Sequence, residues 1–208
     1  KTHVARTRLD PQTVARLKQL TRSNRATSFH GYLTILQALL FRLLPAETTD
    51  KLIIGIADAN RLDSKFMGSI GNFLNVLPLV FDRNVGKQAF GQAVEETRKK
   101  VYSALEHSAL PFDLLLDELA APRSNAYPPV FQVLMDYKLF TKEQAEMPWA
   151  GCKVGEHQWH AARGPYDIAL EIVDDGEGAL MALHMQEALY SNEATNLFLR
   201  SYVNILRE

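Results

Sequence analysis

Apolar residues recur every three or four positions in several stretches of this chain and run continuously or alternate in others. Val14, Leu17 and Leu20 share one helical face. They follow Asp10-Pro11, an N-cap with proline at the first helical position, and predict a helix over residues 11–22. From Ser28, read as a cap, the sequence is apolar nearly all round, Phe29 through Leu44, until Pro45. Such a helix needs burial on several sides. Phe90, Val94, Thr97, Val101, Leu105 and Ser108 predict an amphipathic helix over residues 88–107, broken by Pro111. A short helix is expected over residues 112–119. A closing one is expected over residues 192–206, with Leu197, Phe198, Tyr202, Ile205 and Leu206 inward.

Strand signals fall between these helices. Residues 52–57 are short, continuous and β-branched, as in a strand covered on both faces. Residues 73–81 read as another, and Pro78 points to an edge or bulge. Further strands are expected over residues 130–137, 154–160 and 166–173. The turn Asp174-Asp175-Gly176-Glu177-Gly178 should join the last of these to residues 179–186 as a hairpin. Residues 138–151 have weak periodicity and hold Pro148 and Gly151, which suggests an excursion from the core. Interleaved helices and strands predict a layered α/β domain with a helix-covered sheet.

A chain of 208 residues can bury a sizeable core. Its net charge of −1 offers no basic face for nucleic acid. No apolar run approaches the roughly 20 residues that span a bilayer, and Lys1 to Arg6 hold no hydrophobic signal core. Cys152 is the only cysteine, so an internal disulfide is impossible and a cysteine-based zinc site is not expected. A cytoplasmic setting, without membrane or nucleic-acid partners, is the expectation.

Three segments carry the candidate chemistry: Ile70-Gly71-Asn72-Phe73-Leu74-Asn75-Val76, His107 to Asp113, and Arg123 to Val133 with Phe131-Gln132-Val133. With Gly55-Ile56-Ala57-Asp58-Ala59-Asn60-Arg61, their order and spacing resemble the second half of a condensation domain of nonribosomal peptide synthetases. The pattern is most similar to fungal polyketide–peptide hybrid and lovastatin-type synthases. The resemblance covers about residues 9–207. It implies one half of a chloramphenicol acetyltransferase-like fold, residues 1–208 being the C-terminal subdomain. It also implies that residues 138–151 cross towards the other half. No two histidines are adjacent here, so the family's catalytic His-His-x-x-x-Asp-Gly motif, with its general base, is expected in the first half.

The implied reaction joins a carrier-bound acyl or polyketide thioester to a carrier-bound aminoacyl amine. Partners would be the N-terminal half of the domain and acyl and peptidyl carrier proteins. Their phosphopantetheine arms would be the only cofactor, and this half alone would be inactive. A catalytically degenerate docking module and an ester-forming acyltransferase are alternatives. Val76 replaces the family's threonine, Ser108 its glutamine and Asp113 its glutamate.

Asn75, Val76 and Gln132 are the candidate tunnel residues. An uncharged amide at Asn75 can orient a carbonyl or developing oxyanion without ionising. Its competing role is to hold the backbone near Pro78. Arg61 is expected to order its loop through Asp58 or Asp63, contact with a pantetheine phosphate being the alternative. His107 is expected to cap a helix end, and Phe112 and Asp113 to be structural. Phe131 and Gln132 are placed on opposite faces of one strand, with Phe131 in the core. His157 and His160 would point apart on a strand, so no metal is expected. Asp174-Asp175 reads as a solvated turn. Asp167 is given a structural role, with Arg163 as possible partner.

Overall fold

The computed structural model describes residues 1–61, 68–83, 88–124, 127–140 and 164–208. The strand expected over residues 154–160, the His157 and His160 pair, Arg163 and most of the 138–151 excursion lie outside them.

The chain order is β1 (Thr2–Leu9), α1 (Pro11–Ser23), α2 (Ser28–Leu43), β2 (Lys51–Asp58), β3 (Asn75–Asp82), α3 (Phe90–Leu105), α4 (Phe112–Glu118), β4 (Val133–Leu139), β5 (Ile168–Asp174), β6 (Ala179–Gln186) and α5 (Asn192–Arg207). The strands form one six-stranded sheet in the order β1-β6-β5-β4-β2-β3. Strand β4 runs parallel to both β2 and β5, and every other pairing is antiparallel, so the sheet is mixed. Strand β3 is an edge, which accommodates Pro78, because a proline facing the free edge forfeits no ladder bond. The expected β5–β6 hairpin is present.

One face of the sheet carries the core. Ile54 and Ile56, Leu77 and Leu79, Val133 and Met135, Leu170 and Ile172, and Met181 and Leu183 alternate onto it and are all buried. Helix α5 lies on β1 and β6, α3 on β3, and α2 on β2, while α1 packs against α2. Helix α2 is buried nearly all round, as its sequence requires. Its N-cap is Thr27 rather than Ser28, which is the first helical residue. Thr97, on the apolar stripe of α3, is fully buried; its hydroxyl donates to the Ala93 carbonyl and accepts from Thr34 and from Gln37 Nε2 of α2. Arg83 donates to the carbonyls of Phe41, Leu44 and Thr49, satisfying the bare C-terminus of α2. Asp174 is buried at 3% exposure, not solvated; it accepts from the Tyr137 hydroxyl and from the Gly176 amide. Asp175 holds the turn by pairing with Arg8 and accepting from the amides of Glu177 and Gly178.

His30 locks the start of α2. The Thr27 amide donates to its Nδ1 at 3.0 Å, so the ring must be neutral for this bond to exist. Burial, reinforced by the nearby Arg98 charge, holds its pKa down from 6.5 to about 4. In the unfolded chain the ring binds a proton near pH 6.5, and in the folded protein only near pH 4. Unfolding therefore takes up protons between these values, and stability falls as the pH falls through that window. The expected loss from pH 7 to pH 4 is about 3 kcal/mol for this residue. Urea unfolding across that range should show it, and His30→Gln should remove most of the dependence. A pH-independent midpoint in the wild type would contradict the assignment.

Candidate functional site

Of the described helices, only α4 reaches the opposite face of the sheet, at one end, where its Phe112 packs on Phe131. Ile53, Gly55 and Ala57 of β2, Val76, Pro78 and Val80 of β3, and Leu134 of β4 turn towards this face, because their neighbours alternate into the core. At one end of β2 and β3 the candidate segments converge, with Asn75 on the same side as Leu77 and Leu79 and Phe131 over Gly55 on the other side.

Asn75 joins two of them. At 7% exposure it is buried, and its Nδ2 donates at 2.8 Å to the carbonyls of both Ser108 and Leu110. Its Oδ1 accepts from the amide of Val76 at 2.9 Å and from that of Phe112 at 3.1 Å. Both amide hydrogens and both acceptor positions are thus used within the chain. The side chain clips the turn between α3 and α4 to the start of β3. The carboxylate oxygen Oδ2 of Asp58, opposite Asn75 in the ladder, and the hydroxyl of Ser108 are buried here without hydrogen-bond partners among the described residues.

The third segment enters through aromatic packing. Phe131 is buried, but it precedes β4, which begins at Val133, and it does not join the core beneath the helices. Instead its ring lies over Gly55 on the other face. A Cβ placed on Gly55 would sit 2.2 Å from Phe131 Cε2. Tyr166 stacks on the ring at 5.3 Å between centroids, and Phe112 tilts against it at 5.5 Å. Val130 adopts φ 70°, a left-handed conformation costly for a β-branched residue, just where the chain turns Phe131 over the sheet. Gln132 Nε2 donates to the Pro128 carbonyl and braces the same bend.

The other candidates surround this junction. Val76 is half-buried, opposite Ala57 on the uncovered face. Arg61 donates to the carbonyls of Ser69 and Gly71, and its guanidinium lies 4.5 Å from the centre of the Phe73 ring. Among its described contacts the loop is thus held by backbone carbonyls; Asp63 lies outside the described residues. His107 Nδ1 sits 2.9 Å from the Ser103 carbonyl at the end of α3. Asp113 lies in the first turn of α4 and lines a cavity of about 330 Å³ with Phe112, Arg123, Pro128 and Tyr166. Ile70, Leu74 and Leu110, from the same segments, and Leu114 of α4 are exposed. Among the described residues no group of three or more metal-ligating side chains comes together, and no helix is long and apolar enough to cross a membrane.

Sequence reasoning missed one feature of this face. His184, with Asp136, Lys138 and Glu171, lines a second pocket. A histidine within a hydrophobic strand was the only signal available.

Residues 1–208 match the condensation-domain family over their whole length. The hybrid PKS-NRPS synthetase tasS of Hapsidospora irregularis is 62% identical over 207 residues, which are 100% of this chain and 5% of that protein. Equisetin synthetase eqxS of Fusarium heterosporum is 49% identical over 205 residues, 98% of this chain and 5% of that protein. The chain thus spans about 5% of the curated relatives it matches. The condensation domain from the monacolin K polyketide synthase MokA superposes with a TM-score of 0.88 at 32% identity, over 99% of this chain and 46% of that one. The helix-covered mixed sheet is one half of the chloramphenicol acetyltransferase-like fold shared by these domains. With its three motif segments meeting at Asn75 and Phe131, the chain belongs to the condensation-domain family and is most similar to those of fungal polyketide–peptide hybrid synthetases.

Proposed function

We propose that this chain is the C-terminal half of a domain that forms an amide between a carrier-bound acyl thioester and a carrier-bound aminoacyl amine. The supporting observation is the convergence of three motif segments, through Asn75 and Phe131, at the end of a sheet face that, among the described helices, only α4 reaches. Thioesters are already activated, so holding two arms in line supplies much of the acceleration. The first half brings the general base, and the second brings a rigid wall.

In this reading Val76 and Ala57 face the substrate passage. Asn75 acts as a positioning residue, setting the turn that shapes the wall, and Gln132 braces the bend above it. Residues 138–151 cross to the first half. The exposed apolar side chains of Ile70, Leu74, Leu110 and Leu114 form part of the surface that receives a carrier, beside the cavity through which its phosphopantetheine arm enters.

Val76→Trp tests the wall. In the full synthetase it should lower amide formation by about tenfold or more by obstructing alignment. Carrier loading and the thermal unfolding of the isolated chain should stay nearly unchanged. Undiminished amide formation would remove Val76 from the passage.

A further inference from the structure

On the helix layer, His30 of α2 lies beside Arg98 and Tyr102 of α3. The His30 ring centre is 5.6 Å from that of Tyr102, and the guanidinium carbon of Arg98 is 6.0 Å from the same ring. His30 is 3% exposed and Tyr102 is 47% exposed, so the group sits just under the surface. The surrounding sequence is one-sided in charge. From Pro11 to Ala46 it holds five Lys and Arg and no Asp or Glu. Helix α2, 16 residues long, therefore has no acidic residue in its first turn to meet the positive end of its dipole.

Two donors in this group have no acceptor. His30 Nδ1 accepts from the Thr27 amide, so the hydrogen of the neutral ring is on Nε2. That Nε2 is buried without a hydrogen-bond partner among the described residues, and so is Nε of Arg98. Arg98 makes no hydrogen bond or ion pair with any described residue. Its charge is felt at His30, which puts the two within electrostatic reach of each other. Glu95, a turn earlier on α3, is exposed and engaged by Lys99 at 2.9 Å, and Arg25 acts on it together with Arg98. The face of the Tyr102 ring is a weak acceptor and does not complete two N–H groups. Buried donors left open are costly unless something meets them.

We propose that His30, Arg98 and the start of α2 form a carboxylate-binding site, filled by an Asp or Glu side chain from elsewhere in the synthetase. Taken side-on, the Nε–H and one terminal N–H of an arginine match the two oxygens of a carboxylate. The Nε2–H of His30 supplies a third donor, and the helix dipole favours the negative charge. Phosphate carries more charge and more oxygens than these donors serve.

Acetate is the probe. Urea unfolding of the isolated chain is followed at pH 7 in acetate and in chloride at equal ionic strength. For a site of about millimolar affinity, about 50 mM acetate should raise the folding equilibrium constant roughly fifty-fold over chloride. Arg98→Gln should abolish that gain, and Arg98→Lys should keep only part of it. Arg22→Gln, at an exposed position outside the cluster, should leave the gain intact. In proton–nitrogen NMR spectra the His30 Nε2–H signal should move saturably with acetate, a readout that stands even if Arg98→Gln unfolds. An equal gain in the wild type and in Arg98→Gln, or a His30 signal that acetate leaves in place, would overturn the site. Saturable binding of phosphate but not of acetate would overturn the choice of a carboxylate.

Discussion

Asn75→Ala is expected to destabilise the isolated chain by about 3 kcal/mol, roughly 6–12 °C in Tm for a domain of this size. The substitution strips hydrogen bonds from the carbonyls of Ser108 and Leu110 and from the amides of Val76 and Phe112. Several of these groups lie inside the protein, where a lost partner costs more than a made bond gains. Asn75→Asp should also destabilise at neutral pH. It keeps the two acceptors but turns a carboxylate oxygen towards two carbonyls. Urea unfolding of both variants decides the matter. A substrate-facing amide would leave the isolated chain as stable as the wild type and reduce only amide formation.

Gly55→Ala should cost a comparable amount, about 3 kcal/mol, by overpacking. The new methyl would lie 2.2 Å and 2.4 Å from two atoms of the Phe131 ring. That ring has little room to yield, because Phe112 and Tyr166 flank it at 5.5 Å and 5.3 Å. Trimming the obstacle should restore stability: Gly55→Ala with Phe131→Leu is expected to be more stable than the sum of the single losses allows. A stable, wild-type-like Gly55→Ala would mean that Phe131 does not rest on β2.

Much of the fold was legible because it is local. Helix α1 announces itself through its cap and three-to-four spacing, α3 and α5 through spacing, and α2 through its unbroken apolar surface. The β5–β6 hairpin follows from its turn. Strand β1 was not legible. Among its eight residues only Ala5 and Leu9 are buried, and its pairing partner, β6, lies at the far end of the sequence. Strand order across the sheet is equally non-local.

The site was half legible. The motif segments marked where chemistry gathers, and Phe131 was rightly read as buried. Spacing alone could not say that it lies over Gly55 rather than under the helices, since that depends on the left-handed turn at Val130. Neither could it say that Asn75 has every hydrogen-bonding position engaged. The His184 pocket assembles from three strands, each contributing one or two polar residues that look incidental in sequence.

Amide yield from separated halves probes the central claim most directly. This chain, the first half of its condensation domain and an equimolar mixture would each be supplied with an acyl-loaded and an aminoacyl-loaded carrier. Amide is expected from the mixture and from neither half alone. Product from this chain by itself, or none from halves that demonstrably associate, would contradict the division of labour drawn here.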